Sequence, residues 1–549
     1  MKNYSLLILF ILISVLITQC DLFNTDQPKN PNEITQDQVD PDYLINNIQI
    51  EFKDLYRSAA YIGAENTRMK PMFGQIYDYA YSPRSFNRIY NNSYSNVLID
   101  AKHLIPVAEE RGLYFHMGMA KVMKAYTLVM MVDLFGDMPF SEAFLGGKNL
   151  NPSLDSGEDI YQVAIELLHE AKTDLVNQNR VAMPENDLYY SGLTIEEKVD
   201  RWTRTANTIL LKVHLNMDNR QGIDNLVAEN RLIDSPEYNF VFWYSSNAHN
   251  PDSRHPDFVN NYDSGANVYM AVNYMNMLVN NKWNELGEQR DPRIRYYFYR
   301  QYYEIGVTTP ICFDIIANPP AHFQVGDPWC FIENGYSYYG RDHLNNDFHI
   351  PVNQRTTFGV YPAGGRYDAN QMQTVNTEMG YRGAGFEPIL MSSFTNFMLA
   401  EAAVSLKING SGRQYLETAV RQSMETVRDF GAEQAENFFG EITDEKIDDY
   451  VSVVNNRWDD TDYDNLRAIS MEYYLALWPN GYEAYNLMRR TGYPNRADNL
   501  QPAVSPNPGR WYYSLYYPAV MVDRNMNVEQ KNRTDRVFWN EGTTLFFDF

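Results

Sequence analysis

Three stretches of the chain set flat aromatic rings among Arg, Asn and Asp side chains, the combination that grips a sugar. A ring packs on the apolar C–H face of a pyranose while polar neighbours take its hydroxyls. Residues 77–94 (YDYAYSPRSFNRIYNNSY) offer Tyr79, Tyr81, Arg84 and Asn87, with Tyr77 and Tyr90 beside them. Residues 242–262 supply Trp243, Tyr244, Arg254 and Tyr262, with Asn247 between them, and residues 329–343 supply Trp329, Tyr336, Tyr338 and Arg341. For any one ring the alternative is core packing. The expectation is that at least one stretch contributes a ligand surface.

Catalytic and metal-binding spacings are sparse by comparison. His169-Glu170 begins a helix-borne pair, but Thr173 stands where a zinc site needs its second His. No Walker A loop, dinucleotide glycine pattern or nucleophile elbow is present. Asp460, Asp462 and Asp464 alternate as in a calcium loop, yet Asn465 replaces the glycine and Met471 the final Glu. That run reads as a solvated turn with Asp464 near the next N-cap, so neither metal nor cofactor is predicted. Among 70 Asp and Glu some pair must lie close in space, which leaves a glycosidase-like acid and base open.

Charge narrows the partners. Lys and Arg number 46 and the net charge is −24, which speaks against nucleic acid or another polyanion because phosphate neutralisation needs clustered basic residues. Tyr (42), Phe (28) and Trp (8) make up 14% of the 549 residues, more than packing alone usually asks for.

The chain opens with Lys2 and an apolar run from Leu6 to Ile17, too short for a membrane span of about 20 residues and suited to a signal peptide over 1–19. Ile17-Thr18-Gln19-Cys20 resembles a bacterial lipobox, which implies lipid on Cys20; ordinary cleavage with Cys20 incidental is the alternative. Residues 20–41 are polar and proline-bearing and read as a lipidated tether. Cys312 and Cys330 then remain as an even pair in an exported chain, predicting a disulfide, with two buried thiols as the alternative.

The elements that must position these residues are mostly helical. Apolar periodicity of 3.6 residues predicts helices over 113–135 and 158–177, the latter with Ser156 as N-cap, and near 42–60, 85–108, 197–217, 266–286, 390–407, 412–430, 443–455 and 465–489. Short turns such as Arg111-Gly112 and Asn409-Gly410-Ser411-Gly412 join them in pairs. That is the grammar of a tetratricopeptide-like helical-hairpin scaffold, although no 34-residue repeat is visible. The fold class is mainly α with few short strands. One domain over 42–549 is expected, its scaffold from 42–234 and 390–490, its loop-rich insertion from 235–389 and an irregular segment from 491–549.

Local phrases resemble one family. Leu134-Phe135-Gly136-Asp137-Met138-Pro139 at the end of a long helix is similar to the hallmark of SusD/RagB-type lipoproteins. Asp291-Pro292-Arg293, Tyr339-Gly340-Arg341-Asp342-His343, Gly359 to Gly365, Leu399 to Ala403 and Asn480 to Pro494 resemble further phrases of that family, in the same order. The resemblance implies a tetratricopeptide-like scaffold, lipid-anchored at the cell surface in the outer membrane, with no catalytic residues. It also implies a SusC-like TonB-dependent barrel as partner, an oligosaccharide or in some members a peptide as ligand, and contact with the membrane through lipid alone. Within these phrases Gly136 sits where a helix C-cap wants a left-handed residue, and Arg489 and Arg490 where a helix dipole wants cations.

Overall fold

The architecture follows from a computed structural model, which describes residues 40–279, 291–302, 321–323, 332–333, 336–346, 350–438, 440–459 and 461–540. Helices form where the apolar period predicts them: α1 (Pro41–Asn66), α2 (Ile99–Glu110), α3 (Tyr114–Phe135), α4 (Gly157–Leu175) and α5 (Ile195–Asn216). An unpredicted α6 (Arg220–Glu229) follows directly. The second set is α7 (Ser392–Ser405), α8 (Gly412–Ala435), α9 (Asp444–Asn455), α10 (Asp462–Ala476) and α11 (Gly481–Thr491). Strands are short: β1 (Phe240–Trp243), β2 (Phe298–Tyr299), β3 (Ile332–Glu333), β4 (Tyr336–Ser337), β5 (Thr357–Phe358) and β6 (Phe386–Leu390). They pair antiparallel in three two-stranded sheets, β1 with β6, β2 with β5 and β3 with β4. No described helix is long and apolar enough to cross a membrane.

Local chemistry sets the helix ends. The Ser156 hydroxyl accepts the Asp159 N–H at 3.1 Å, and Thr194 with Glu197 forms a reciprocal capping box on α5. α3 stops at Gly136, whose φ of 80° and ψ of −129° lie outside the left-handed helical region expected of a C-cap and suit glycine alone. The Asp137 carboxylate accepts the Gly157 N–H at 2.8 Å, and Asp155 accepts the N–H groups of Phe140 and Ser141. The Gly-Asp-x-Pro phrase therefore links the end of α3 to the start of α4.

Several predicted boundaries move: α8 runs past 430 to Ala435, and the helix expected near 266–286 begins at Val272 and is described to Val279. The segment over 85–108 divides into a 3-10 turn (Pro83–Phe86), a helical turn (Asn87–Asn92), a π-helical stretch (Ser93–Leu98) and α2. The Ser93 hydroxyl donates to the Ile89 carbonyl at 2.8 Å, a competing bond where the ladder widens. The segment over 465–489 splits into α10 and α11 because Pro479 lacks an amide hydrogen to continue a helix. α1 runs on to Asn66 because its last turn is buried against α11. Arg489 and Arg490 do more than face a dipole. Arg489 is fully buried over the Tyr485 ring and donates to the Tyr513 carbonyl, while Arg490 pairs with Glu401 on α7.

One crossing and one polar cluster hold the helices in register. A Cβ on Gly481 would stand 1.9 Å from the Ala64 nitrogen, and one on Gly63 would stand 2.2 Å from the Gly481 carbonyl oxygen. Beside this contact Asp133 on α3 accepts from Tyr482 (2.5 Å), Asn486 (2.8 Å) and Trp539 (3.0 Å), and also from Tyr161. Lys212 on α5 lies 3.4 Å from Asp133 and 3.0 Å from Glu483. Four helices thus share one buried, paired charge network.

In the loop-rich region buried arginines take over the task of regular hydrogen bonding. Arg293 pairs with Asp291 at 2.6 Å, Arg300 with Asp368 at 2.5 Å, and Arg355 donates to the carbonyls of Ile350 and Ala266. A guanidinium offers five donors, enough to satisfy carbonyls that no helix or strand partners.

Candidate functional site

Sugar-binding side chains must face solvent, and the predicted residues divide sharply on that test. Tyr79 is 75% exposed and Trp243 55% exposed, and Arg84 is exposed as well. Tyr81 donates its hydroxyl to Glu65 and packs edge-on to Tyr512, and the Asn87 side chain accepts the Val520 N–H. Tyr244 lies edge-on to His255 with ring centroids 4.8 Å apart. Arg254 is buried between Asp252 and Asp263, and Tyr262 is stacked on Phe258 with its hydroxyl on the Phe358 carbonyl. Tyr338 is buried under Arg300, and Arg341 is buried against Phe73 and Tyr269. Tyr336 lies in β4. Trp329, Cys20, Cys312, Cys330 and Asp460 lie outside the described residues.

Trp243 opens onto a cleft of about 420 Å³. β1 and β6 hold it there. Trp243 is the register partner of Phe386, and their ring centroids lie 5.1 Å apart. α8 brings Phe430 to 6.4 Å from the indole at 33°, and Phe430 in turn meets Phe386 edge-on at 5.0 Å. The platform is therefore fixed on two sides by packed rings while its outer face stays wet.

Polar groups ring the platform. Glu425, Thr426 and Asp429 come from one face of α8, Arg201 from the first turns of α5, and Glu237 and Asn239 from the segment leading into β1. Asp429 accepts from Arg428 at 2.8 Å, and Asn239 accepts the Ser392 N–H at 2.7 Å. The side chains of Glu425 and Thr426 make no hydrogen bond, and Arg201 no salt bridge, among the described residues. Arg201 instead lies over the Tyr190 and Tyr238 rings at 5.9 and 5.6 Å. Burial pushes the Glu425 carboxyl up, opposed by Arg428 and Arg421. Free donors and acceptors around a fixed aromatic face are the elements of a saccharide site.

Phe430, Glu425, Asp429 and Arg201 were not singled out from sequence. A helix over 412–430 was legible, but the strand its face would meet was not. Among the described residues no His, Cys, Asp and Glu are grouped so as to hold a metal ion.

Comparison with known proteins bears on most of the chain. A family described as starch-binding and associating with the outer membrane matches residues 31–309, and one described as SusD and RagB outer membrane lipoprotein matches residues 338–528. No curated protein is similar in sequence. Solved structures are similar in fold. A SusD homologue from Bacteroides fragilis NCTC 9343 is 20% identical, with TM-score 0.56 over 87% of this chain and 94% of that one. A SusD/RagB family protein from Bacteroides thetaiotaomicron VPI-5482 is 17% identical, with TM-score 0.63 over 92% and 100%. A chitin-binding SusD homologue from Flavobacterium johnsoniae is 15% identical, with TM-score 0.59 over 91% and 99%. With the helical scaffold, the phrases along it and the first family match over half of its length, the chain belongs to the SusD/RagB family of outer membrane lipoproteins.

Proposed function

We propose that the protein is a cell-surface nutrient-binding lipoprotein, anchored through lipid on Cys20, that captures an oligosaccharide and passes it to a SusC-like TonB-dependent barrel for which it serves as lid. It acts by binding and not by catalysis. The observation that carries the ligand class is Trp243, a ring packed on Phe386 and Phe430 yet more than half exposed over a cleft with unpartnered polar side chains. Family membership and a fold neighbour described as chitin-binding support the same class.

The sugar ring stacks on the indole, and hydroxyls exchange water for Arg201, Glu425 and Thr426. A single aromatic platform with a few hydrogen bonds suits moderate affinity, as a protein that must release its cargo requires. Calorimetric titration of the protein with a panel of oligosaccharides tests the ligand class, with short peptides as the opposing panel. Binding to an oligosaccharide supports the reading, and binding to peptides alone overturns it. Isolation of the lipid-anchored protein from native membranes tests the partner, the expected result being co-purification of a TonB-dependent barrel.

A further inference from the structure

A second groove, of about 530 Å³, lies where the π-helical stretch meets the C-terminal segment. Its aromatic side is a ladder. Tyr90 and Tyr94 are stacked 4.4 Å apart at 23°, and Phe144 continues the stack at 5.8 Å and 28°. The Tyr94 hydroxyl donates to the Pro139 carbonyl at 2.6 Å, so the Gly-Asp-x-Pro phrase fixes the middle ring. The opposite wall is also fixed, by Asn525 donating to the Pro152 carbonyl at 2.8 Å and by Asn151 accepting the Met526 N–H at 2.8 Å. π-helical turns are rare and frequently occur at functional sites.

The polar groups of this groove are uncommitted. The Tyr90 hydroxyl, the Asn91 amide, the Ser95 hydroxyl and the Arg524 guanidinium make no hydrogen bond or ion pair among the described residues. No Asp or Glu lines the groove, in contrast to the Trp243 cleft, which Glu237, Glu425 and Asp429 line. In a chain of net charge −24, the one charged side chain lining this groove among the described residues is the exposed Arg524, which stands without a carboxylate partner in a groove that also holds stacked rings. A guanidinium matches the planar fork of a carboxylate, and a half-buried Tyr face matches a pyranose.

We propose that this groove is a second saccharide site, selective for a sugar ring bearing one carboxylate, a uronate, which stacks on Tyr90 and pairs with Arg524. One carboxylate on an otherwise neutral glycan is consistent with an acidic chain that rejects polyanions. The site is independent of the Trp243 cleft, so the two readings fail separately.

The test is calorimetric titration of the protein with a xylo-oligosaccharide carrying one glucuronate branch, alongside the same compound with its carboxylate methyl-esterified. The acid binds the wild-type protein, and esterification weakens binding by about tenfold, the loss of one charge-assisted pair. Arg524→Gln, at an exposed position, lowers affinity for the acid to that for the ester. In a Trp243→Ala background, which removes the first cleft's contribution, the acid still binds more tightly than the ester, and adding Tyr90→Ala abolishes binding of both. Absence of binding by the acid, equal binding of acid and ester, or an Arg524→Gln protein indistinguishable from wild type overturns the proposal.

Discussion

The indole of Trp243 lies 6.4 Å from the ring of Phe430 at 33°, so a strand residue and a helix residue far apart in sequence build one platform. Trp243→Ala removes the stacking face while leaving the β1–β6 pairing in place. Affinity for the bound oligosaccharide falls at least about tenfold by calorimetry, and because the side chain is half-exposed, unfolding stability changes by about 1 kcal/mol or less. Retained affinity would place the sugar elsewhere.

Gly481 touches the α1 backbone with no room for a Cβ. Gly481→Ala must push α1 and α11 apart, an overpacking cost of about 3 kcal/mol or more. Chemical denaturation reads this directly. Gly63→Ala acts at the same crossing, so the double variant costs less than the sum of the two.

Lys212 is buried between Asp133 and Glu483. Lys212→Met leaves two carboxylates facing each other without a counter-charge, and stability falls by about 3–5 kcal/mol. A loss under about 1 kcal/mol would mean that the Tyr161, Tyr482 and Asn486 donors alone satisfy Asp133.

Burial pushes the Glu65 carboxyl up from 4.5 to about 7, against the opposing pull of Tyr81 and Lys70. Between those values the folded chain holds a proton that the unfolded chain releases. This group's contribution to stability is therefore full below about pH 4.5 and is lost as pH rises through about 7. Glu65→Gln stays neutral throughout. Urea unfolding of both proteins across that range gives a wild-type curve that falls relative to the variant with rising pH, and parallel curves would place the carboxyl at its ordinary value.

The scaffold was legible because its helices repeat apolar residues every 3.6 positions and carry their own caps, as Ser156 shows on α4. Boundaries failed where a distant contact decided them. α1 reaches Asn66 because α11 lies against its last turn, and only the fold brings Gly63 to Gly481. The site was less legible for a physical reason. Tyr and Arg serve cores and surfaces alike, and burial of Arg254 depends on Asp252 and Asp263 closing around it together. Trp243 could be nominated by composition, whereas Phe430 and Glu425 join it through a strand-to-helix contact that no local pattern encodes.

The central claim is that an oligosaccharide is held on the Trp243 platform, and a crystal structure of the protein with the best-binding oligosaccharide from the panel tests it most directly. The predicted result is a pyranose ring stacked on the Trp243 indole with hydroxyls within hydrogen-bond distance of Arg201 or Glu425. A sugar seated away from Trp243, with the cleft beside Phe430 filled only by water, would contradict it.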